Sequence, residues 1–199
     1  GLGDVYKRQG LKVSFVTTSW PTLSADLKAD KFDIAMGGVT ETAARAKDFA
    51  LSQPVVPNGK IALANCAAAP ALGSLEKIDQ PNVKVVVNPG GTNQSFVDEH
   101  IKQAQIIRVK NNIDNLEALR QKTADMMVTD LIEGVYYQSN EPGVFCVANE
   151  QPFPGTASFK VYMMNKDNPQ LLDKVNQWLA SQDKNVLKQK WRIHDQLKP

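Results

Sequence analysis

Short apolar runs alternate with segments of helical periodicity along almost the whole chain. The apolar runs predict strands and the segments between them predict helices. Because this alternation is typical of α/β proteins, we expect largely parallel sheets whose strands are joined by helices. The predicted strands are Leu11–Thr17, Phe32–Gly37, Lys60–Asn65, Val83–Asn88, Gln105–Val109, Asp125–Thr129, Val144–Ala148 and Lys160–Met164. The predicted helices are Leu23–Ala29, Glu41–Lys47, Leu75–Gln80, Gln94–Lys102, Ile113–Gln121, Leu131–Gln138, Pro169–Ser181 and Val186–Gln196.

Turns that follow three of the predicted strands are candidates for ligand binding. They are Gly37–Thr40, Asn88–Asn93 and the Thr129–Asp130 step. Open α/β sheets bind ligands at the carboxyl ends of their strands, so these turns are expected to converge on one cleft of a two-lobed binding protein.

The Asn88–Asn93 turn (Asn-Pro-Gly-Gly-Thr-Asn) lies between an apolar run and a helical segment. A strand, a glycine turn and a helix start in that order aim backbone N–H groups at one point, which the helix dipole makes attractive to an anion. The segment is therefore either a carboxylate or phosphate cradle or an ordinary helix start capped by Thr92. It has neither the third spaced glycine of a dinucleotide fingerprint nor the Gly-Lys-Ser/Thr of a P-loop.

Asp130 and Glu133 are three residues apart at a predicted helix start, which places both carboxylates on one helix face. Tyr137 lies on the same face. One interpretation is a capping box, in which both side chains only satisfy the first turn. The other makes Glu133 a general acid, which needs its pKa raised from about 4.3 towards 6–7.

Arg45 and Trp20 each have two interpretations. Arg45 is either a solvated helix residue in a surface ion pair or a planar fork that binds a carboxylate near the Gly37–Thr40 turn. Trp20 either packs beside the helix-starting Pro21 or forms an aromatic wall for a ring-shaped ligand. Trp178 and Trp191 lie on amphipathic C-terminal segments and are expected to be packing residues.

Composition narrows the function classes. Of the 199 residues 42% are hydrophobic, which is enough for real cores, and the net charge of +2 comes from interspersed acids and bases. We therefore expect small-molecule partners rather than nucleic acid, and no membrane insertion. His100 and His194 lack ligand spacing, so we expect surface histidines and no metal site. Cys66 and Cys146 are either two buried thiols or a disulfide.

Segments spread over most of the chain carry a family resemblance. They are Phe32–Met36, Arg45 with Phe49–Pro54, Asn88–Asn93, Asp125–Asp130 and the helix after Asn168. Together they resemble the type II periplasmic solute-binding proteins of the polar amino-acid class. Four further segments are similar to one group of enzymes within that superfamily, the cyclohexadienyl dehydratases: Thr18–Pro21, Ile78–Pro81, Met126–Glu133 and Gln151–Phe153.

The resemblance implies two lobes with a ligand cleft between them. Residues 11–62 and 158–199 would form lobe one and residues 63–157 lobe two. Residues 1–10 have no periodicity and are expected to be a non-native or disordered leader, with the first βα unit of lobe one missing.

The resemblance also implies a cofactor-free reaction in which prephenate or L-arogenate loses water and carbon dioxide together. Glu133 would be the general acid. The implied substrate-binding residues are Trp20, Thr40, Arg45, Asn88, Gly91, Thr92, Asn93, Asp130 and, more weakly, Lys160. Cys66 and Cys146 would form the disulfide of an exported, periplasmic protein.

Some positions depart from the pattern of the dehydratases. Gly37 stands in place of a serine, Val55 in place of an aromatic residue, and Pro154–Phe159 forms a loop of different size. The alternative is a non-catalytic solute-binding protein that delivers an amino acid or related anion to the permease of an ABC transporter. Homo-oligomers are compatible with either function.

Overall fold

The computed structural model describes residues 10–149 and 151–182. The predicted helix Val186–Gln196, residues 1–9 of the expected leader, Trp191 and His194 lie outside the described residues. The helices are α1 (Leu23–Lys28), α2 (Ala43–Asp48), α3 (Leu75–Ile78), α4 (Gly91–His100), α5 (Asn112–Arg120), α6 (Leu131–Asn140) and α7 (Pro169–Ser181). The strands are β1 (Ile34–Thr40), β2 (Ala50–Leu51), β3 (Val56–Asn58), β4 (Lys60–Asn65), β5 (Lys84–Val87), β6 (Gln105–Arg108), β7 (Met126–Asp130), β8 (Phe145–Val147) and β9 (Ser158–Met164).

The alternation of strands and helices predicted from the sequence is confirmed from α1 onward. Strand β4 and helix α7 have the predicted bounds, and most other elements differ by one to three residues at their ends. The short strands β2 and β3 were not predicted, because two or three residues carry no readable periodicity.

The predicted strand Leu11–Thr17 is wrong. Residues 11–19 have no regular secondary structure, and the side chains of Leu11 and Phe15 are 51% and 90% exposed. An apolar run becomes a strand only when a neighbouring strand accepts its backbone hydrogen bonds. Within the described part of the chain, none pairs with this segment.

The expected turn at Gly37–Thr40 is also different. Strand β1 continues through Thr40, and its register against β9 shifts between Ala35 and Val39. Gly38 has a φ of +70°, a conformation that glycine adopts without strain. Pairing with β9 on both sides of this bulge keeps the segment in the sheet.

The sheets are mixed rather than mostly parallel. In the five-stranded sheet, with order β6-β5-β7-β4-β8, β5 pairs in parallel with β6 and β7, whereas β4 is antiparallel to β7 and β8. Strands β5, β6, β7 and β8 are joined by helical crossovers and run in the same direction. Strand β4 lies between β7 and β8 and runs antiparallel to both. In the other sheet, β9 is antiparallel to β1 and β2. Periodicity predicts strands and crossovers but not the direction of an inserted strand.

The chain divides into two compact units. The first contains the described residues up to Val56 and from Phe159 onward, and the second runs from Pro57 to Ser158. Strand β4 lies in the second unit, where it hydrogen bonds to β7 and β8.

Each unit has apolar clusters on two sides of its sheet. In the second unit, Ile61 and Leu63 of β4 face one cluster, while Ala62 and Ala64 face the other. This follows from the period of two along a strand. In the first unit, Met163 and Met164 of β9 divide in the same way, and Trp178 of α7 packs in the Met164 cluster as predicted.

The two cysteines form a disulfide. The Cys66 and Cys146 Cα atoms are 4.8 Å apart, and the bond joins the end of β4 to β8, where Ala64 lies opposite Cys146. The alternative of two buried thiols is excluded. Among the described residues, no helix is long and apolar enough to cross a membrane.

Candidate functional site

A buried lysine organises the polar residues of the second unit. The Lys60 ammonium donates hydrogen bonds to Thr92 Oγ1 at 2.6 Å, Asn93 Oδ1 at 2.6 Å and Asp130 Oδ1 at 2.8 Å. Asn58 Nδ2 donates to the same Asp130 oxygen at 2.9 Å. We call these five residues the Lys60 cluster.

The secondary structure explains why these side chains meet. Lys60 begins β4 and Asp130 ends β7, and the two residues are direct cross-strand partners. Their side chains are only 8% and 6% exposed, so the attraction between the two charges compensates for hydration that each loses on burial. Thr92 and Asn93 lie in the first turn of α4, which follows β5 across the Asn88–Gly90 turn.

Helix α4 starts without a threonine cap, and its Gly90 N–H donates to Gln94 Oε1. Its N-cap is Gly90, which makes no side-chain cap hydrogen bond, so the interpretation of Thr92 as a helix cap is wrong. Gly90 and Gly91 have φ angles of +86° and +74°, which only glycine adopts without strain. The first-turn N–H groups and the helix dipole make this position favourable for negative charge.

Glu133 lies in the first turn of α6 and is half-buried. Thr129 Oγ1 donates a 2.8 Å hydrogen bond to Glu133 Oε2. Asp130 is the N-cap of α6 but makes no side-chain cap hydrogen bond, so the part of the capping-box interpretation that concerns Asp130 is wrong. Burial, and secondly the charge of Glu133, raise the pKa of Tyr137 above its ordinary value, which is consistent with both residues on one helix face.

A chain of amide side chains connects the Asn88 turn to Tyr137. Asn115 Nδ2 donates to Asn88 Oδ1 at 2.6 Å and to Asn112 Oδ1 at 3.4 Å. Asn112 Nδ2 donates to the Tyr137 hydroxyl oxygen at 3.2 Å. The turn that begins α4 and the polar face of α6 are thus linked through α5.

In the first unit, polar side chains gather around Thr40. The Lys160 ammonium donates to the Gly38 carbonyl at 2.7 Å and to Thr40 Oγ1 at 3.1 Å. Arg45 Nη1 donates to the Thr40 carbonyl at 2.7 Å, and its guanidinium carbon lies 5.9 Å from the Trp20 ring centroid. Trp20, Thr40, Arg45 and Lys160 form what we call the Thr40 cluster.

Strand pairing also explains this second grouping. Thr40 and Lys160 are opposite each other in β1 and β9, and both are 6% exposed. Arg45 lies in α2, whose N-cap Thr42 accepts a hydrogen bond from the Arg45 N–H. The cluster brings two cations and an indole ring together, which suits a ligand with both a carboxylate and a ring.

Sequence reasoning found most of these residues but missed Lys60 and Asn58. The signal was present, because Lys60 immediately precedes an apolar stretch whose residues are all buried, and a lysine there needs a buried partner. Among residues 10–149 and 151–182, there is no group of three or more His, Cys, Asp or Glu side chains placed to hold a metal ion. His100 is exposed beside Glu99.

A family model described as bacterial extracellular solute-binding proteins, family 3, matches residues 2–193. The chain belongs to this family. Membership in family 3 agrees with the α/β architecture and with small-molecule solutes as ligands.

The proteins similar to this chain include both an enzyme and binding proteins. The chain is 35% identical over 170 residues to a cyclohexadienyl dehydratase of Pseudomonas aeruginosa, a match that covers 85% of this chain and 62% of that protein. The chain thus spans less than two thirds of that relative's length.

Solved structures confirm the fold. One is an ancestral amino acid-binding protein described as a precursor of cyclohexadienyl dehydratase, with 31% identity, a TM-score of 0.82, and coverage of 94% of this chain and 81% of that one. Another is a putative ABC transporter binding component from Wolinella succinogenes complexed with lysine. It is 21% identical with a TM-score of 0.85, covers 98% of this chain and 85% of that one, and supports the type II periplasmic binding protein fold alone.

Proposed function

We propose that this protein is a periplasmic cyclohexadienyl dehydratase, which converts prephenate to phenylpyruvate, L-arogenate to L-phenylalanine, or both. The observation that carries the proposal is the position of Glu133, held by Thr129 in the first turn of α6, beside the N-cap Asp130 of the Lys60 cluster. The 35% identity to the Pseudomonas dehydratase supports it.

The proposed reaction needs one proton donor and no cofactor. The Glu133 carboxyl group protonates the ring hydroxyl, which leaves as water when its C–O bond breaks. The ring carboxylate leaves as carbon dioxide, and the electron pair of the broken C–C bond completes the aromatic ring. Glu133 is left ionised and regains its proton from water. General acid catalysis of this kind contributes about 10²–10⁴ in rate.

Each cluster is proposed to bind charged or polar groups of a ligand. In the second unit, Asn88, Gly91, Thr92 and Asn93 would bind a ligand carboxylate at the start of α4, with the Lys60 ammonium supplying positive charge. In the first unit, Arg45, Thr40 and Lys160 would bind polar oxygen atoms and Trp20 would face the ring.

Lys60 reduces the repulsion that Asp130 and Glu133 would exert on an anionic ligand. Two neighbouring carboxylates alone would repel an anionic ligand. The Lys60–Asp130 ion pair, with 2.8 Å between nitrogen and oxygen, offsets the charge of one of them. Glu133 is then the acidic group whose presence a transport receptor would not need.

The second candidate function is that of a solute-binding protein that delivers an amino acid or related anion to an ABC transporter. The 31% identity to an ancestral amino acid-binding protein favours it. Both functions would use the same carboxylate-binding groups, so the fold does not separate them.

Turnover of prephenate distinguishes the two functions. The purified protein is incubated with prephenate or L-arogenate, and aromatic product is followed by ultraviolet absorbance or amino-acid analysis. A dehydratase forms product well above the spontaneous background. Product at background level, together with tight amino-acid binding by calorimetry, contradicts the dehydratase proposal and supports the transport receptor.

A further inference from the structure

Asn115 is buried next to the proposed carboxylate-binding turn, although no sequence signal marks it as functional. It lies on α5, is 2% exposed, and its Nδ2 group donates a 2.6 Å hydrogen bond to Asn88 Oδ1. Asn88 itself is only half-buried and lies directly before the start of α4.

This hydrogen bond fixes which end of the Asn88 amide faces the turn. Because Asn88 Oδ1 accepts from the buried Asn115, the NH2 group is the end of the amide left to donate to another partner. Among the described residues, the Asn88 NH2 group makes one contact, a long 3.4 Å approach to the adjacent Pro89 carbonyl. An amide in this orientation donates to an anion, whereas the flipped amide would present an oxygen that repels it.

The orientation of Asn115 is not the one that would best serve stability alone. Its Oδ1 atom is buried and has no hydrogen-bond partner among the described residues. Leaving a buried acceptor unsatisfied is unfavourable, and an apolar residue of similar size at the same place would avoid that cost. The presence of an asparagine at this buried position is therefore better explained by its hydrogen bond to Asn88, which orients the Asn88 amide.

We propose that Asn115 is a positioning residue, which orients the Asn88 amide so that its NH2 group is presented to a ligand carboxylate at the start of α4. The inference rests on the proposed function to the extent that this turn binds a carboxylate. It does not require that the bound molecule reacts.

The test uses Asn115→Leu and two carboxylate probes that do not react, phenylpyruvate and L-phenylalanine, with affinity measured by calorimetry. Leucine fills a similar volume but cannot donate to Asn88. We expect Kd to rise about tenfold for the probe that binds, because an oriented hydrogen bond to a charged group is weakened. We expect the thermal midpoint to change little, because leucine removes the unsatisfied Asn115 acceptor but also the two hydrogen bonds that its Nδ2 group donates.

Asn111→Ala is the matched control on the same helix. Asn111 is the N-cap of α5, and its side chain accepts a hydrogen bond from the Asp114 N–H. Its loss should lower the thermal midpoint and leave Kd within about twofold, because a cap stabilises the helix without touching the turn.

A double-mutant cycle separates positioning from general packing. Asn88→Ala removes the oriented amide, so Asn115→Leu should weaken binding no further in that background. An additive loss in the double variant overturns the inference, as does a wild-type affinity retained by Asn115→Leu. Failure of the wild type to bind either probe also overturns it, because no carboxylate grip is then present. Probe binding that follows the predicted pattern without prephenate turnover supports the inference and contradicts the dehydratase.

Discussion

Replacement of Lys60 by methionine should destabilise the protein more than the loss of any exposed ion pair. The Lys60 and Asp130 side chains are 8% and 6% exposed, so the substitution leaves a carboxylate buried without its cation. Removing one partner of such a pair costs about 3–5 kcal/mol. Since Asn58 still donates to Asp130 at 2.9 Å, we expect a loss near the lower end, about 3 kcal/mol in the free energy of unfolding.

Equilibrium unfolding in urea measures this loss, and two variants control it. Lys31→Met removes a pair of similar N···O distance, 2.7 Å, between side chains that are 60% (Lys31) and 13% (Asp26) exposed. Because Asp26 keeps its hydrogen bond from Thr18 and the Lys31 site is open to water, we expect a clearly smaller loss than for Lys60→Met. Lys60→Met combined with Asp130→Asn should recover most of the loss, because no charge is then buried alone.

Two results would refute this reasoning. If Lys60→Met costs no more than Lys31→Met, the pair is not buried in solution. If the double variant is as unstable as Lys60→Met, the loss comes from packing and not from the unpaired carboxylate.

Three further changes should alter stability. Reduction of the disulfide should lower the free energy of unfolding by about 2–4 kcal/mol, measured by urea unfolding with and without reductant. Gly134→Ala should destabilise by about 1–3 kcal/mol, because the new Cβ would lie 2.6 Å from Ile61 Cδ1, whereas Gly37→Ala meets nothing within 4 Å and serves as its control. Burial raises the pKa of Asp79, but hydrogen bonds from three backbone N–H groups lower it by more, so the pKa lies below its ordinary value of 3.8. The stability advantage of Asp79 over Asp79→Asn should therefore be complete at pH 7 and decline as the pH falls below that value, and an advantage independent of pH would contradict this.

The elements that sequence predicted best are those whose pattern is decided locally. Strand β4 is a continuous apolar run closed by a polar residue, and α7 begins at Asn168–Pro169, where the Asn168 side chain caps the helix. Both have the predicted bounds. In these segments burial, capping and periodicity all favour one structure.

The errors arose where structure depends on a distant neighbour. The apolar run 11–17 has the composition of a strand, but composition does not provide a pairing partner. The direction of β4 is likewise set by the order in which the chain enters the sheet, which periodicity does not encode.

The residues of the candidate site also differ in whether their local sequence identifies them. Asp130, Thr92 and Arg45 could be identified because each follows a strand or starts a helix in the sequence. Asn115 could not, because its role comes from a partner that tertiary folding brings to it, 27 residues away in sequence. Lys60 carries a signal, since it precedes a buried apolar run, but its partner Asp130, 70 residues away, is identified only by the fold.

The most direct test of the central proposal compares Glu133→Gln with the wild type using prephenate as substrate. Glutamine keeps the size and an acceptor for Thr129 but cannot supply the proton. We predict that Kd for phenylpyruvate stays within about threefold while kcat falls at least about 100-fold. Glu76→Gln, an exposed position on α3, should retain full turnover. A Glu133→Gln variant with wild-type kcat would contradict the assignment of Glu133 as the general acid.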